Sequence, residues 1–200
     1  MGIKNIIFDF GGVLIDWDPY YLYQNLIQDK GELDFFLNNV CSSEWNLKQD
    51  AGRSFGEGTK ELADKFPQYK NEISMFYSDW IKIIGGEIEE NTYLLTGLKN
   101  NFRLFGLTNW SAETFPLVYD KYPFFEVFEG IVVSGKEKLV KPNEGIYKVL
   151  LNRYKLKACE SLFVDDNQDN IDAANNLGFE TIFFHKGINL SDKFKSLKIE

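Results

Sequence analysis

The sequence predicts an α/β protein with a Rossmann-like, doubly wound parallel sheet as its core and an inserted α-helical cap. Two observations predict this fold. Short apolar runs end on acidic residues near both ends of the chain, first at Asp9 and later at Asp165 and Asp166, as buried strands do where they reach solvent. Between residues 17 and 88, apolar residues instead recur at helical spacing. A helical block that follows the first strand and precedes the others is best explained as an insertion.

The remaining strands are predicted from four short apolar runs that alternate with helical segments. The runs cover residues 103–107, 130–133, 162–164 and 179–184. Alternation of strands and helices is typical of a parallel sheet. We therefore assign residues 1–16 and 89–200 to a discontinuous core domain and residues 17–88 to the cap.

The helical block has recognisable start and stop signals. Asp18 and Pro19 resemble a helix N-cap and a first helical position. Two apolar stripes follow, formed by Tyr20, Leu22, Tyr23, Leu26 and Ile27 and by Ile73, Phe76, Tyr77, Trp80, Ile81 and Ile84. Gly85 and Gly86 are predicted to break the second stripe. The polar segment 189–200 is expected to form a surface helix or a frayed end.

Composition excludes several functional classes. The 200 residues are 44% hydrophobic, and 22 basic against 30 acidic residues give a net charge of −8 without a basic cluster, which makes a nucleic-acid partner unexpected. The chain has no apolar run long enough to cross a membrane and no signal-peptide pattern at its start, so we expect a cytoplasmic protein with no membrane partner. Cys41 and Cys159 are expected to be reduced thiols. The sequence leaves the oligomeric state open.

The acidic strand ends predict a metal site. The carboxyl ends of parallel strands form a ligand crevice, so Asp9, Asp165 and Asp166 are expected to share one pocket. Three crowded carboxylates repel one another unless a divalent cation holds them, and oxygen ligands favour Mg²⁺. Helix N-capping is the alternative explanation of the acidic pair, but it accounts for one aspartate only.

Four local patterns occur in order along the predicted core. They are Asp9 with Gly11 and Gly12, Leu107-Thr108-Asn109, Lys141-Pro142, and Phe163-Val164-Asp165-Asp166-Asn167. Together they resemble the haloacid dehalogenase-like hydrolase superfamily, its capped subfamily I, and in particular the bacterial branch that hydrolyses α-glucose 1-phosphate. The resemblance implies a Mg²⁺-dependent phosphatase that hydrolyses a small phosphorylated metabolite, such as a sugar phosphate, through an aspartyl-phosphate intermediate.

The resemblance also implies a role for each residue of the four patterns. Asp9 would be the nucleophile, and Lys141 would be catalytic by neutralising the phosphoryl group. Thr108 and Asn109 would bind the phosphoryl oxygens together with Lys141.

The implied Mg²⁺ ligands come from two of the same patterns. They are Asp9, the backbone carbonyl of Gly11, Asp165 and Asp166. Within the acidic pair, we expect Asp166 to bind the ion directly and Asp165 to bind it directly or through water.

Gly11 departs from the pattern of most phosphatases in this superfamily. They carry a second aspartate at that position, which protonates the leaving alcohol, and losing a general acid costs about 100-fold to 10,000-fold in rate. Gly11 alone therefore favours a metal-independent 2-haloacid dehalogenase that uses Asp9, or a catalytically silent phosphate-binding regulatory protein. The pair Asp165 and Asp166 favours the phosphatase, because adjacent carboxylates are costly where no cation is bound.

Three tryptophans and the single histidine are further candidate site residues. Trp17, Trp45 and Trp110 either line a pocket or pack at a domain junction. His185 follows the last predicted strand without a motif around it, which favours a structural or surface role.

Overall fold

The computed structural model describes residues 2–199. The strands are β1 Asn5–Phe8, β2 Ile15–Trp17, β3 Ile84–Glu87, β4 Arg103–Thr108, β5 Gly130–Val133, β6 Ser161–Asp165 and β7 Glu180–Phe183. The helices are α1 Tyr20–Tyr23, α2 Lys30–Phe35, α3 Ser43–Asp50, α4 Phe55–Lys65, α5 Lys70–Ser78, α6 Glu89–Leu98, α7 Phe115–Tyr119, α8 Ser134–Glu137, α9 Glu144–Tyr154, α10 Gln168–Asn176 and α11 Leu190–Ser196. A π-helical segment spans Phe36–Val40, and 3₁₀ turns span Pro67–Tyr69, Trp80–Ile83, Pro123–Val127 and Ala158–Glu160.

The central sheet has five parallel strands in the order β5-β4-β1-β6-β7. Ile7 in the middle strand is in register with Phe105 on one side and Phe163 on the other. From β1 the chain continues to β4 and β5 on one side, and then crosses to β6 and β7 on the other side. The carboxyl end of β1 is therefore the topological switch point, where α/β sheets form their ligand crevice. The predicted fold class, a doubly wound parallel sheet with helices on both faces, is confirmed.

The two faces of the sheet pack into separate apolar cores. Ile6 and Phe8 belong to one buried cluster, whereas Ile7 belongs to the other, as alternation along a strand requires. The first cluster continues from the sheet into the helices of residues 20–83, where Phe36 and Phe76 are fully buried. The helical segment is therefore joined to the sheet by continuous apolar contact.

A two-stranded antiparallel sheet of β2 and β3 lies at the two ends of the helical segment. The predicted helical stripe through Trp80, Ile81 and Ile84 is wrong, because α5 ends at Ser78. A 3₁₀ turn follows over residues 80–83, which brings the chain into β3 so that it can pair with β2. Gly85 and Gly86 lie within β3, not in a break. The assignment of residues 17–88 to the cap stays a prediction.

The C-terminal segment forms a helix with a buried apolar face. Leu190 and Phe194 of α11 are buried, and the Phe194 ring packs edge-on against Phe8 at 6.4 Å. Glu200 of the predicted polar tail lies outside the described residues. Cys41 and Cys159 are free thiols, the first buried and the second exposed. Across residues 2–199, no helix combines the length and the apolar character that a bilayer crossing requires.

Candidate active site

Asp9 follows β1 at the switch point and is fixed there by the residue after it. Its backbone N–H donates to the carbonyl of Val164 at 2.9 Å, which continues the pairing with β6. The Phe10 ring packs edge-on against Phe125 at 4.9 Å. That ring occupies the space over Gly106, where an added Cβ would lie 2.2 Å from a ring carbon. The absence of a side chain on Gly106 therefore lets Phe10 anchor the strand end that carries Asp9.

The two glycines after Phe10 differ in whether their positions could accommodate a side chain. Gly12 has φ +73°, and an added Cβ would lie 2.1 Å from an Asp166 carboxylate oxygen. A glycine is thus required there for the turn and for the approach of Asp166. A Cβ added to Gly11 would meet no heavy atom within 4 Å. The position of Gly11 consequently has room for a side chain.

Lys141 is a buried ammonium that joins two of the acidic strand ends. Its Nζ lies 3.0 Å from Asp9 Oδ1 and 2.7 Å from Asp165 Oδ2, and its side chain is 0% exposed. Nζ also donates to the carbonyl of Leu107 at 2.9 Å. The pKa of Lys141 is raised: burial lowers it, but the charges of Asp165 and Asp9 outweigh burial. Lys141 therefore holds its positive charge.

Asn109 fixes the backbone of Lys141 from the end of β4. Its Oδ1 accepts the Lys141 N–H at 2.8 Å, and its Nδ2 donates to the Lys141 carbonyl at 3.0 Å. This reciprocal pair aligns the lysine with Asp9. Because Nδ2 carries a second N–H and Asn109 lines the cavity, its role as a phosphoryl ligand stays a prediction.

Asp165 and Asp166 have contrasting surroundings. Asp165 is fully buried, and its Oδ1 accepts from the Asn167 N–H at 2.8 Å and from Asn170 Nδ2 at 2.9 Å. Because Lys141 binds Oδ2, both oxygens of Asp165 have donors. Asp166 instead lines the cavity described below. Of the pair, Asp166 has the more accessible carboxylate.

The three carboxylates fit a divalent cation. Asp9, Asp165 and Asp166 each offer one oxygen, and these oxygens lie within 4.8 Å of one another. Burial raises the pKa of Asp9 to about 7; Lys141 lowers it, while Asp165 and Asp166 raise it further. Burial and the charge of Asp165 likewise raise the pKa of Asp166 to about 6. One ammonium does not compensate three anions, and a second cation among hard oxygen donors would.

Thr108, the last residue of β4, has an orphaned hydroxyl. The side chain is fully buried, and within residues 2–199 its Oγ1 has no hydrogen-bond partner. An unsatisfied buried polar group costs about 1–3 kcal/mol. A ligand oxygen at this edge of the sheet would remove that cost.

A cavity of about 230 Å³ opens over Asp9. Its floor comes from the core and includes Asp9, Gly11, Gly12, Asn109, Trp110 and Asp166. Its roof comes from the inserted segment and includes Trp17, Asn46, Asp50, Tyr77 and Trp80. The rings of Trp80 and Trp110 lie 5.5 Å apart, so roof and floor are in contact at one side. This arrangement leaves space for a small molecule between the strand ends and the helices.

The structure brings all the predicted site residues to this edge of the sheet, namely Asp9, Gly11, Thr108, Asn109, Lys141, Asp165 and Asp166. Of the three tryptophans, Trp17 and Trp110 line the cavity. Trp45 packs among the helices, where its Nε1 donates to the Gly58 carbonyl at 3.2 Å. His185 is exposed, with Nδ1 3.2 Å from the Lys186 carbonyl, in agreement with a surface role.

Two polar residues of the roof were not predicted from the sequence. Asp50 and Asn46 lie one helical turn apart on α3. They form no motif, and each has the spacing of an ordinary helix-surface residue. Only the burial of Asp50, which needs the three-dimensional structure, distinguishes it from the other acidic residues of the insertion.

Comparison with known proteins identifies relatives over most of the chain. A sesquiterpene phosphatase from Aspergillus oryzae is 28% identical over 182 residues, which are 88% of this chain and 86% of the relative. A D-ribitol-5-phosphate phosphatase from Bacteroides thetaiotaomicron is 27% identical over 191 residues, with 90% of both proteins covered. A drimenol cyclase from Aspergillus calidoustus is 24% identical, and this chain spans 34% of its length.

A similar fold is found in solved structures. The magnesium complex of a haloacid dehalogenase family enzyme from Bacteroides thetaiotaomicron superposes with a TM-score of 0.77 at 22% identity, covering 98% of this chain and 100% of that one. The family model described as haloacid dehalogenase-like hydrolase matches residues 6–184, a range that runs from the second residue of β1 through the whole helical segment and β7. Because this match covers most of the chain, the chain belongs to the haloacid dehalogenase-like hydrolase family.

Proposed function

We propose that this protein is a Mg²⁺-dependent phosphatase that hydrolyses a small phosphorylated metabolite through a covalent aspartyl phosphate on Asp9. The observation that carries the proposal is the pairing of Asp9 with a buried lysine, beside two further carboxylates and beneath a cavity. A phosphoryl group needs a nucleophile, a fixed cation and a second, exchangeable cation. The cavity floor offers residues for each.

Asp9 is the group that attacks phosphorus. Its Oδ1 accepts from Lys141 Nζ at 3.0 Å and from the Phe10 N–H at 2.7 Å. Two donors on one oxygen hold the carboxylate in one orientation, which favours attack along one line. Lys141 also keeps part of the Asp9 population ionised against the effect of burial.

Lys141 and Thr108 bind the phosphoryl oxygens. The Lys141 ammonium offsets the charge that spreads over these oxygens during transfer. The Thr108 hydroxyl, which has no partner among residues 2–199, donates to one of them. Asn109 contributes by holding the Lys141 backbone in place.

We assign Asp9, the backbone carbonyl of Gly11 and Asp166 as direct Mg²⁺ ligands, and Asp165 as a residue that reaches the ion through water. The accessible carboxylate of Asp166 and the saturated oxygens of Asp165 support this division. When bound, Mg²⁺ would neutralise charge on the phosphoryl oxygens and on the crowded carboxylates.

A sugar or polyol phosphate is the substrate class that the roof favours. Aromatic faces from Trp17, Tyr77 and Trp80 can pack on the C–H faces of a polyol, and Asn46 can bond its hydroxyl groups. The D-ribitol-5-phosphate phosphatase relative supports the same class.

The test is a screen of phosphorylated metabolites that measures phosphate release with Mg²⁺ and with EDTA, beside a 2-haloacid control. We expect Mg²⁺-dependent turnover that Asp9→Asn lowers by about 10⁴-fold or more, because a carboxamide is no nucleophile. Beryllofluoride with Mg²⁺ should raise the melting temperature of the wild-type protein.

Each competing function has its own result in this screen. Halide release that EDTA leaves unchanged would establish the dehalogenase. Stabilisation by beryllofluoride with no turnover of any phosphate ester, aryl esters included, would establish the silent binding protein.

A further inference from the structure

Asp50 places an acidic side chain in the roof of the cavity that Asp9 also lines. It is the last residue of α3, it is 9% exposed, and it lines the same cavity as Asp9. The other roof residues that line the cavity, Trp17, Asn46, Tyr77 and Trp80, are uncharged. Asp50 is thus the roof's one carboxyl group among the cavity-lining residues that the structure describes.

The backbone after α3 presses Asp50 against the core. Gly52 has φ +97°, and a Cβ there would lie 3.0 Å from Lys138 Cγ and 3.3 Å from the Gly135 carbonyl. A glycine in this left-handed conformation lets the end of α3 sit on α8. The backbone N–H of Ser111, from the core, lies close enough to the Asp50 carboxyl to lower its pKa. Asp50 is therefore held by both parts of the protein.

Asp50 has hydrogen-bond donors, but no cation among residues 2–199 pairs with it. Asn46 Nδ2 donates to its Oδ2 at 3.2 Å. Arg53, the nearest arginine in sequence, instead binds Gln49 Oε1 and Glu61 Oε2, both at 2.6 Å. None of the ion pairs formed among residues 2–199 includes Asp50.

This environment favours the protonated form near neutral pH. Burial raises the pKa of Asp50 to about 7, against the effect of the Ser111 N–H, and the charge of Asp9 adds to the rise. Tyr77, which faces Asp50 from α5, is also buried, and its own pKa is raised, so its hydroxyl is uncharged at the same pH. A carboxyl group with a pKa near the working pH is well matched to donating and taking back a proton.

The geometry of phosphoryl transfer gives that proton a destination. The leaving oxygen departs on the side of phosphorus opposite the attacking atom. With Asp9 in the floor, this oxygen faces the roof, where Asp50 lies. Gly11 has no side chain that could reach it.

We propose that Asp50 is the general acid that protonates the leaving group, in place of the acid that Gly11 lacks. The proposal rests on the phosphatase function proposed above. As the Asp9 oxygen forms its bond to phosphorus, the bond from phosphorus to the leaving oxygen breaks, and that oxygen takes the Asp50 proton to leave as an alcohol. A water oxygen then forms a bond to the phosphorus of the aspartyl phosphate, the bond from phosphorus to the Asp9 oxygen breaks, and the water gives a proton to the Asp50 carboxylate. Phosphate leaves, and both aspartates return to their starting states.

The experiment compares alkyl phosphates with 2,4-dinitrophenyl phosphate, whose leaving group needs no proton, in wild-type, Asp50→Asn and Tyr77→Phe proteins with Mg²⁺. Asp50→Asn keeps the size of the side chain and an acceptor for the Ser111 N–H. We expect it to lower kcat/KM for alkyl phosphates by about 100-fold to 10,000-fold and to leave kcat/KM for the dinitrophenyl ester nearly unchanged. The ratio kcat/KM is compared because it covers the steps up to departure of the leaving group and excludes the later attack of water. Tyr77→Phe, a change at another roof residue, should affect the two substrates alike.

Equal losses of kcat/KM on both substrates in Asp50→Asn would assign Asp50 to positioning or folding and overturn the proposal. A small effect on both would overturn it as well. Failure of the wild-type protein to hydrolyse even the dinitrophenyl ester would refute the phosphatase function itself, which keeps the two failures distinct.

Discussion

The floor and the roof of the cavity are built in different ways. In the floor, charged groups are locked together, since Lys141 contacts Asp9 and Asp165 while Asn109 holds the lysine backbone. The roof is mostly aromatic, and its one carboxyl group, Asp50, has no ion-pair partner among residues 2–199. From this difference we infer that the floor carries the phosphoryl-transfer residues, whereas the roof selects the substrate and assists the departure of its leaving group.

The largest stability effect should come from breaking the floor at Lys141. Lys141→Met removes a buried ammonium and leaves Asp9 and Asp165 without their shared cation, which typically costs about 3–5 kcal/mol. Lys148→Met is the matched control, because Lys148 forms an exposed pair with Glu144 worth about 0.5 kcal/mol or less. Urea unfolding at pH 7.5 without metal measures both variants. Equal losses would mean that the floor is no more tightly coupled than the surface.

Substitution of Asp50 in the roof should instead stabilise the protein, and the gain in stability should depend on pH. Asp50 has a folded-state pKa of about 7, above the ordinary 3.8. The folded protein therefore keeps a proton that the unfolded chain has lost, so the stability contributed by this group falls as pH rises from about 4 to about 7. Asn at position 50 does not ionise. The stability of Asp50→Asn relative to wild type should thus grow over this window, by at most about 4 kcal/mol at about 1.4 kcal/mol per pKa unit.

Denaturant unfolding at pH 4.5 and pH 8 in EDTA measures this gain, with the exposed Asp64→Asn as the control. Asp9 titrates in both proteins, so only its coupling to Asp50 remains in the difference. A gain that is the same at both pH values would show that Asp50 is not protonated by its surroundings.

A third prediction separates the two neighbouring aspartates of the floor. Asp166→Asn should weaken Mg²⁺ binding by about 10-fold or more with little loss of stability, because its carboxylate is accessible and lines the cavity. Asp165→Asn should destabilise the fold more, since its oxygens bind Lys141, Asn167 and Asn170. Calorimetric titration with Mg²⁺ and urea unfolding give the two rankings. If Asp165→Asn weakened Mg²⁺ binding more while retaining its stability, the assignment of the direct ligand would be reversed.

The sequence predicted the floor far better than the roof, and the reason is physical. Asp9, Lys141 and Asp165 lie at the ends of short apolar runs or in local patterns, and parallel sheet topology brings such ends together. Asp50 lies on a helix, where many surface positions carry acids. Its burial arises from the contact of Gly52 with α8, which is remote in sequence. The helical stripe through Trp80 and Ile84 failed for a similar reason, because pairing of β3 with β2 overrides helical periodicity.

The smallest expected effect tests whether the roof has taken over a task that the floor lost. If Asp50 supplies the proton, a carboxyl group introduced at Gly11 should restore part of the alkyl phosphatase activity to Asp50→Asn, by about tenfold, and should add little to the wild type. The structure permits the change, because a Cβ on Gly11 meets no heavy atom within 4 Å. The double variant Asp50→Asn/Gly11→Asp is compared with Asp50→Asn/Gly11→Asn, which has the same bulk without the acid. Rates with alkyl phosphates should rise only in the first, while rates with 2,4-dinitrophenyl phosphate stay level in both. An equal rise in both double variants would trace the rescue to altered packing at the turn, and the floor and roof would not be exchanging a proton donor.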